Sequence, residues 1–282
     1  MAIEQIVING IVQGIGFRPA VYELATRLGL SGCVYNDARG VIVEVAGEQQ
    51  LLDTFAKEIT AFQLNKMKIE QFERKPLVAF SPQAGSTDIS ASASGFRILA
   101  TQVATAAVTF MPPDLAVCES CKADMQNTKD TRRHGYFLTA CTQCGPRFTV
   151  IEKMPYRRED TVMQAFPLCK DCLREYEQPT TRRFNFETNT CRTCGPKLRF
   201  AEIIAGKPRI TKTSDPIDLT RKYLADGKII AIKGVGGFHI AVDACSEEAV
   251  ERLRVLKKRP HKPFAVMFPD IATLRSYAYV SA

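Results

Sequence analysis

The chain has 282 residues, enough for about two domains, and 45% hydrophobic against 24% charged residues excludes wholesale disorder. No stretch approaches the roughly 20 uninterrupted apolar residues of a membrane span, and the opening Met1-Ala2-Ile3-Glu4-Gln5 lacks the basic and apolar regions of a secretory signal, so a cytoplasmic chain with no membrane partner is expected. The 38 Lys and Arg outnumber 30 Asp and Glu to give +8, which points to an acidic ligand such as phosphate, nucleotide or RNA.

Residues 1–95 alternate strand and helix patterns. Ile3 to Ile8 reads as a strand. Pro19 is suited to the first position of a helix whose stripe Val21, Leu24, Ala25 and Leu28 repeats at i, i+3, i+4 and i+7 before Gly29. Val34 and the run Val41–Val45 read as two strands around a turn at 36–40. Leu52, Phe55, Ile59 and Phe62 mark a second helix, and Lys68–Arg74 and Phe96–Leu99 supply further strands. The βαββαβ order is that of the split βαβ, ferredoxin-like sandwich. Ser81–Gly95, rich in Ser, Ala and Gly, reads as a flexible loop or linker. Between the first strand and first helix, the glycines of Gly10–Arg18 permit a turn whose backbone N–H groups face one side, ahead of a helix N-terminus. Such a nest binds anions, with Gln13, Gly14, Ile15, Gly16 and Phe17 supplying the loop and Arg18 a charged donor. The plain alternative is a tight turn beside a solvated arginine.

Residues 111–200 are organised by cysteine. Of the ten cysteines, eight form four C-x2-C pairs: Cys118/Cys121, Cys141/Cys144, Cys169/Cys172 and Cys191/Cys194. In a chain without an export signal, this spacing reads as metal ligation rather than disulfides, with two pairs completing one tetrahedral Zn2+ site. Eight thiolates and two Zn2+ together carry −4, which lowers the net charge from +8 to about +4 and weakens the case for nucleic acid. A shift of 50 residues lays Cys141-x2-Cys144-Gly145-Pro146 on Cys191-x2-Cys194-Gly195-Pro196 and Arg132-Arg133 on Arg182-Arg183. The repeat favours two self-contained modules, sequentially paired and dependent on metal for folding; interleaved pairing stays open. The arginine pairs fit nucleic-acid contacts, solvated loops or contacts between modules. Cys33 and Cys245 stand alone and read as buried apolar residues.

Residues 203–282 read as α/β. Asp215-Pro216 opens a helix that Gly227 closes, Lys228–Ile232 is a short strand, and Gly234–Gly237 is a turn. Ser246-Glu247-Glu248 caps a helix carrying Val250, Leu253 and Leu256; Phe264–Phe268 reads as a strand and Asp270 opens another helix. So short an α/β block reads as the opening of a longer domain.

The motifs resemble known families in chain order. Gly-x-Val-Gln-Gly-x-Gly-Phe-Arg over residues 10–18, followed by Gly32-Cys33-Val34-Tyr35-Asn36, resembles the acylphosphatases. That resemblance implies that Arg18 clamps the phosphate and Asn36 orients the attacking water, chemistry that needs positioning rather than a nucleophilic side chain. The array C-x2-C-x19-C-x2-C-x24-C-x2-C-x18-C-x2-C behind such a domain resembles the HypF-type carbamoyltransferases of NiFe hydrogenase maturation, with 19 residues where the family pattern has 18. Lys233–His239 and Leu256–Pro263 resemble the start of a YrdC-like nucleotide-binding domain. The resemblance implies an α+β multidomain chain: a ferredoxin-like acylphosphatase domain, two small four-cysteine zinc-finger modules and a partial α/β YrdC-like domain. Two Zn2+ ions and, in the longer protein, ATP with Mg2+ are the implied cofactors. Lys233, Lys257, Arg259 and Lys262 are the candidate nucleotide contacts, in a segment (251–263) holding six Lys or Arg and one Glu. The implied activity is cleavage of carbamoyl phosphate and, in the whole protein, activation of carbamate as carbamoyl adenylate for a partner protein's C-terminal cysteine. Double-stranded RNA is a further partner class of the YrdC-like fold. The competing class is a zinc-dependent RNA-binding or scaffold protein with an inactive acylphosphatase-like fold; the Arg18 and Asn36 pair argues against it.

Overall fold

Apolar residues alternate along the opening run, so β1 (Ala2–Ile11) buries Ile6 and Ile8 on one face. α1 (Phe17–Arg27), β2 (Ser31–Asp37), β3 (Gly40–Gly47), α2 (Gln49–Thr60) and β4 (Lys68–Leu77) complete the expected βαββαβ order. β5 (Phe96–Ile98) adds a parallel edge to β2, giving the sheet order β4-β1-β3-β2-β5 with the other pairings antiparallel. The computed structural model describes residues 1–37, 39–62, 64, 67–80, 95–100, 111–154 and 156–281; the expected linker Ser81–Gly95 lies outside them except for Gly95. Two compact units result, Met1–Lys197 and Leu198–Ala282.

In the first unit, Phe17, Val21, Leu24 and Ala25 of α1 and Leu52, Phe55, Ala56 and Ile59 of α2 are buried in one cluster with Ile6, Ile8, Val34, Val41, Val43 and Val45 of the sheet. Each large side chain so buried contributes about 1.5–3 kcal/mol, which makes this core the main stabiliser of the sandwich. α1 starts two residues earlier than Pro19 predicts. Pro19 still falls within the first turn, where its missing N–H has no intrahelical partner to lose.

The cysteine-rich segment has little regular structure. α3 (Glu119–Gln126) and α4 (Lys170–Glu177) each begin directly after the first cysteine of a module, with Cys118 and Cys169 as N-caps. Three short 3-10 turns, Phe148–Val150, Arg158–Asp160 and Val162–Ala165, lie between them.

The second unit holds two hairpins, β6 (Phe200–Ile204) with β7 (Lys207–Thr211) and β8 (Ile230–Lys233) with β9 (Phe238–Ala241), and three helices, α5 (Pro216–Ala225), α6 (Glu247–Lys257) and α7 (Ile271–Tyr277). The helix starts are as expected: Asp215, Ser246 and Asp270 side chains accept backbone N–H bonds as N-caps. Two expectations fail here. Phe264–Phe268 is not a strand, because among the described residues β8 and β9 pair only with each other and offer it no ladder; Phe264 is instead held under the Arg254 and Arg259 guanidinium groups at 4.9 and 5.6 Å. Cys245 is exposed rather than buried, since it lies in the turn leading into α6, where its N–H donates to Asp243 Oδ1 at 2.9 Å. Cys33 is buried as expected, against Tyr35 and Ile42.

Candidate active site and metal centres

The five residues Val12–Gly16 make the whole crossing from β1 to α1. Gly14 and Gly16 take φ values of 70° and 83°, where a side chain is strained. There is also no room for one: a Cβ on Gly14 would lie 2.9 Å from Pro112 Cγ and 3.1 Å from the Tyr156 ring, and one on Gly16 would lie 3.1 Å from Thr142 Cβ. The loop is therefore pressed against the cysteine-rich segment. Gly16 caps α1, and the first turn contains no acidic residue to offset the positive end of the helix dipole. Ile15 and Phe17 have their side chains in the core, so only their backbone N–H groups are available to an anion.

Period-two alternation brings Asn36 to this loop. Val34 faces the core beneath the helices while Cys33 and Tyr35 face the other side, so Asn36 shares the face of Val34. Gln13, Gly14, Gly16, Phe17, Arg18 and Asn36 line one pocket of about 330 Å³ of atom-free space, part of it open to solvent. Its far wall comes from the cysteine-rich segment: Thr142, Tyr156, Asn185, Phe186 and Glu187. The two predicted catalytic residues and the predicted phosphate loop are thus brought together, against a wall that sequence reasoning did not foresee.

The wall is charged and polar. Glu187 is 5% exposed, and its Oε1 accepts from Arg18 Nη2 at 3.3 Å. Its Oε2 accepts from Tyr176 Oη at 3.1 Å and the Arg158 N–H at 3.2 Å. Burial raises the Glu187 carboxyl above its ordinary range, opposed by the Arg18 charge, while burial pushes the Tyr156 hydroxyl up to about 12. Both amide atoms of Gln13 and Asn36 Oδ1 are buried with no hydrogen-bond partner in the protein. Buried polar atoms left so cost about 1–3 kcal/mol each, and their gathering at one pocket is the signature of a polar ligand or bound water.

The eight paired cysteines form two clusters, Cys118/Cys121/Cys141/Cys144 and Cys169/Cys172/Cys191/Cys194, each with its sulfurs within 4.8 Å of one another. The S···S separations are 3.8 Å for Cys118–Cys141, 3.9 Å for Cys141–Cys144, and 3.8 Å for both Cys169–Cys191 and Cys191–Cys194. A tetrahedron with Zn–S arms of about 2.3 Å has edges of about 3.8 Å, so both donor sets fit Zn2+. The grouping is sequential.

The arginine pairs cross between modules. Arg132 and Arg133 of the first module bind Glu175 beside Cys172 of the second, and Arg182 and Arg183 of the second bind Asp124 beside Cys121 of the first. Arg132 Nη2 lies 3.7 Å from Cys172 Sγ, and Arg182 Nη1 lies 3.5 Å from Cys121 Sγ. Even the backbone obeys the 50-residue repeat: the Thr142 N–H donates to the Arg182 carbonyl and the Arg192 N–H to the Arg132 carbonyl. Four thiolates on one Zn2+ would leave −2, an excess that each module's arginines are placed to offset in the other.

Arg147 ties the first cluster to the Val12–Gly16 loop. Wholly buried, it donates to the carbonyls of Cys144 and Pro146 through Nη1 and of Cys141 and Thr142 through Nη2, while Nε donates to the Gly14 carbonyl. Its guanidinium carbon lies 4.8 Å from the Phe186 ring centre. The repeat places Lys197 opposite Arg147, and that difference was the one trace of this role in the sequence. Tyr156 and Glu187 carried no such trace.

The candidate nucleotide residues stay dispersed over the second unit. Lys233 ends β8 with its ammonium 5.2 Å above the Phe238 ring, while Lys257, Arg259 and Lys262 lie at and beyond the end of α6. The three lysines are exposed and Arg259 half-buried.

Sandwich, loop, arginine and asparagine define an acylphosphatase-type domain, here built onto a pair of four-cysteine modules. The acylphosphatase family signature matches residues 4–80, the HypF finger signature matches 117–151 and 168–201, and the telomere recombination signature matches 222–282. Relatives include the carbamoyltransferase HypF of Rhodobacter capsulatus, 39% identical over 92% of this chain and 32% of that protein, and carbamoyltransferase HypF2 of Cupriavidus necator, 39% identical over 98% and 32%. A crystal structure of full-length HypF in the phosphate- and nucleotide-bound form superposes with a TM-score of 0.87 and 38% identity over 99% of this chain and 34% of that one. The chain is similar over nearly its whole length to HypF carbamoyltransferases and spans about a third of the length of the curated relatives it matches.

Proposed function

We propose that the pocket between the phosphate loop and the four-cysteine modules hydrolyses carbamoyl phosphate to carbamate and phosphate. The convergence of Arg18, Asn36 and the α1 N-terminus on one pocket carries this reading. Arg18 and the loop N–H groups hold the phosphoryl oxygens; the buried, unpartnered Asn36 Oδ1 accepts a hydrogen bond from the attacking water and aims it. Water adds at phosphorus, the bond to the acyl oxygen breaks, and carbamate leaves with the pair of electrons. The eight cysteines hold two Zn2+ ions in a structural role, fixing the carbonyls that Arg147 grips.

In the longer protein, the block 1–95, its sheet extended by β5 (Phe96–Ile98), and the blocks 111–200 and 203–282 serve as acylphosphatase domain, zinc modules and the start of a YrdC-like domain. There Lys233, Lys257, Arg259 and Lys262 contact ATP with Mg2+, carbamate is activated as carbamoyl adenylate, and the carbamoyl group passes to a cysteine of a maturation partner. The full-length HypF solved with phosphate and nucleotide supports this assignment of ligands. The RNA-binding or scaffold reading loses its best evidence, because Arg132, Arg133, Arg182 and Arg183 are engaged between modules.

Phosphate release from carbamoyl phosphate by the zinc-loaded chain tests the proposal. Arg18→Ala is expected to lower the rate roughly 10²–10³-fold. An Arg18→Ala chain that stays folded and hydrolyses at the original rate would overturn it.

A further inference from the structure

We propose that Glu187 reads the acyl end of the substrate, favouring an acyl phosphate with an amino group on its carbonyl over one with a methyl. The proposal rests on the acyl-phosphate reading of the pocket and deepens it.

Three donors fix the Glu187 carboxylate: Arg18 Nη2 at 3.3 Å, Tyr176 Oη at 3.1 Å and the Arg158 N–H at 3.2 Å. It therefore stands in a defined place on the pocket wall, in contact with the arginine assigned to the phosphoryl group. A carboxylate cannot itself accept a phosphoryl dianion, since like charges repel most strongly where water is excluded. Facing the same pocket, it is left with the other end of a small substrate.

The chemistry of that end then decides. An amino group donates to the carboxylate and replaces the water it displaces. A methyl group displaces the same water and returns nothing, so a buried charged acceptor is left short of a partner. The Gln13 amide, which lines the same pocket with both polar atoms buried and unpartnered, extends the same preference. A planar group with N–H donors and a carbonyl acceptor satisfies this wall; a hydrocarbon does not. Sites built to bond an N–H or O–H reject the analogue that lacks it more strongly than apolar pockets reject a change in size.

The test compares kcat/KM for carbamoyl phosphate and acetyl phosphate in the zinc-loaded 282-residue chain. The expected wild-type preference for carbamoyl phosphate is at least roughly 10-fold. Glu187→Ala should collapse that ratio toward one, chiefly through loss on carbamoyl phosphate. Glu187→Gln, whose amide oxygen still accepts, should keep part of it, and Tyr176→Phe, which loosens Oε2 from outside the pocket, should reduce it. Equal losses on both substrates in a folded Glu187→Ala chain would mean a structural role only and overturn the proposal. Should that variant not fold, an unchanged ratio in both Glu187→Gln and Tyr176→Phe overturns it. A wild-type chain that cleaves neither substrate overturns the acyl-phosphate reading itself, and this inference with it.

Discussion

Arg147 touches no part of the expected substrate, yet its guanidinium joins the first cysteine cluster to the carbonyl of Gly14. Arg147→Ala would strand buried carbonyls on both sides, a loss of about 2–4 kcal/mol in stability. Denaturant titration measures this, and hydrolysis of carbamoyl phosphate should fall with a raised KM as the loop loosens. The two lone cysteines give a second prediction. Burial pushes the Cys33 thiol up to about 12 from a usual value of 9.0, while Cys245 is exposed. In the zinc-loaded chain at pH 8, iodoacetamide should label Cys245 alone, as peptide mass spectrometry would show. Because the folded pKa of Cys33 is raised, its contribution to stability is intact below pH 9 and lost as pH climbs from there towards 12. Arg18 and Asn36 were legible as neighbours at one pocket because their places are set by one opening strand–helix–strand unit. Glu187 and Tyr156 were not, because they acquire theirs by docking against a loop over a hundred residues earlier in the chain.

Between elements, the two four-cysteine modules are bound by a reciprocal exchange of arginines. The 50-residue repeat made the sequential grouping of cysteines readable; it could not show that each module's arginines serve the other. Arg133 is 1% exposed and bonds Glu175, Asn189 Oδ1 and the Thr190 carbonyl, all in the second module. Arg133→Ala should therefore weaken the cluster Cys169/Cys172/Cys191/Cys194 rather than the cluster of its own module. In the chain loaded with 113Cd, the resonance of that second cluster should shift and disappear first under a chelator. Earlier loss of the first cluster would contradict the crossed arrangement. The failed strand at Phe264–Phe268 belongs to this scale too: its apolar run was visible, but a strand exists only where a neighbour supplies the ladder.

At the scale of the molecule, the two units differ in how they bury apolar surface. Among the described apolar residues of the second unit only Phe200, Ala249 and Leu253 are buried, while Phe238 and Met267 are 69% and 96% exposed. Single exposed ion pairs contribute about 0–1 kcal/mol, so Lys233, Lys257 and Lys262 on such a surface should bind ATP weakly or undetectably in calorimetric titration of this chain. A tight isotherm would show that these residues already form a pocket. Among the described residues no helix is long and apolar enough to cross a membrane.

The first unit poses the central question, since the loop and helix start proposed to hold phosphate are fixed by Gly14, Arg147 and Glu187 contacts that depend on the four-cysteine modules. The direct measurement is carbamoyl phosphate hydrolysis by the chain as zinc is withdrawn with a chelator and then restored. The expected result is a fall in kcat/KM of roughly 10-fold or more, reversed by about two equivalents of zinc, because structural zinc and folding of its module are one equilibrium. Hydrolysis that continues at the original rate with both zinc ions gone would contradict a pocket built jointly by the acylphosphatase-type domain and its two cysteine modules.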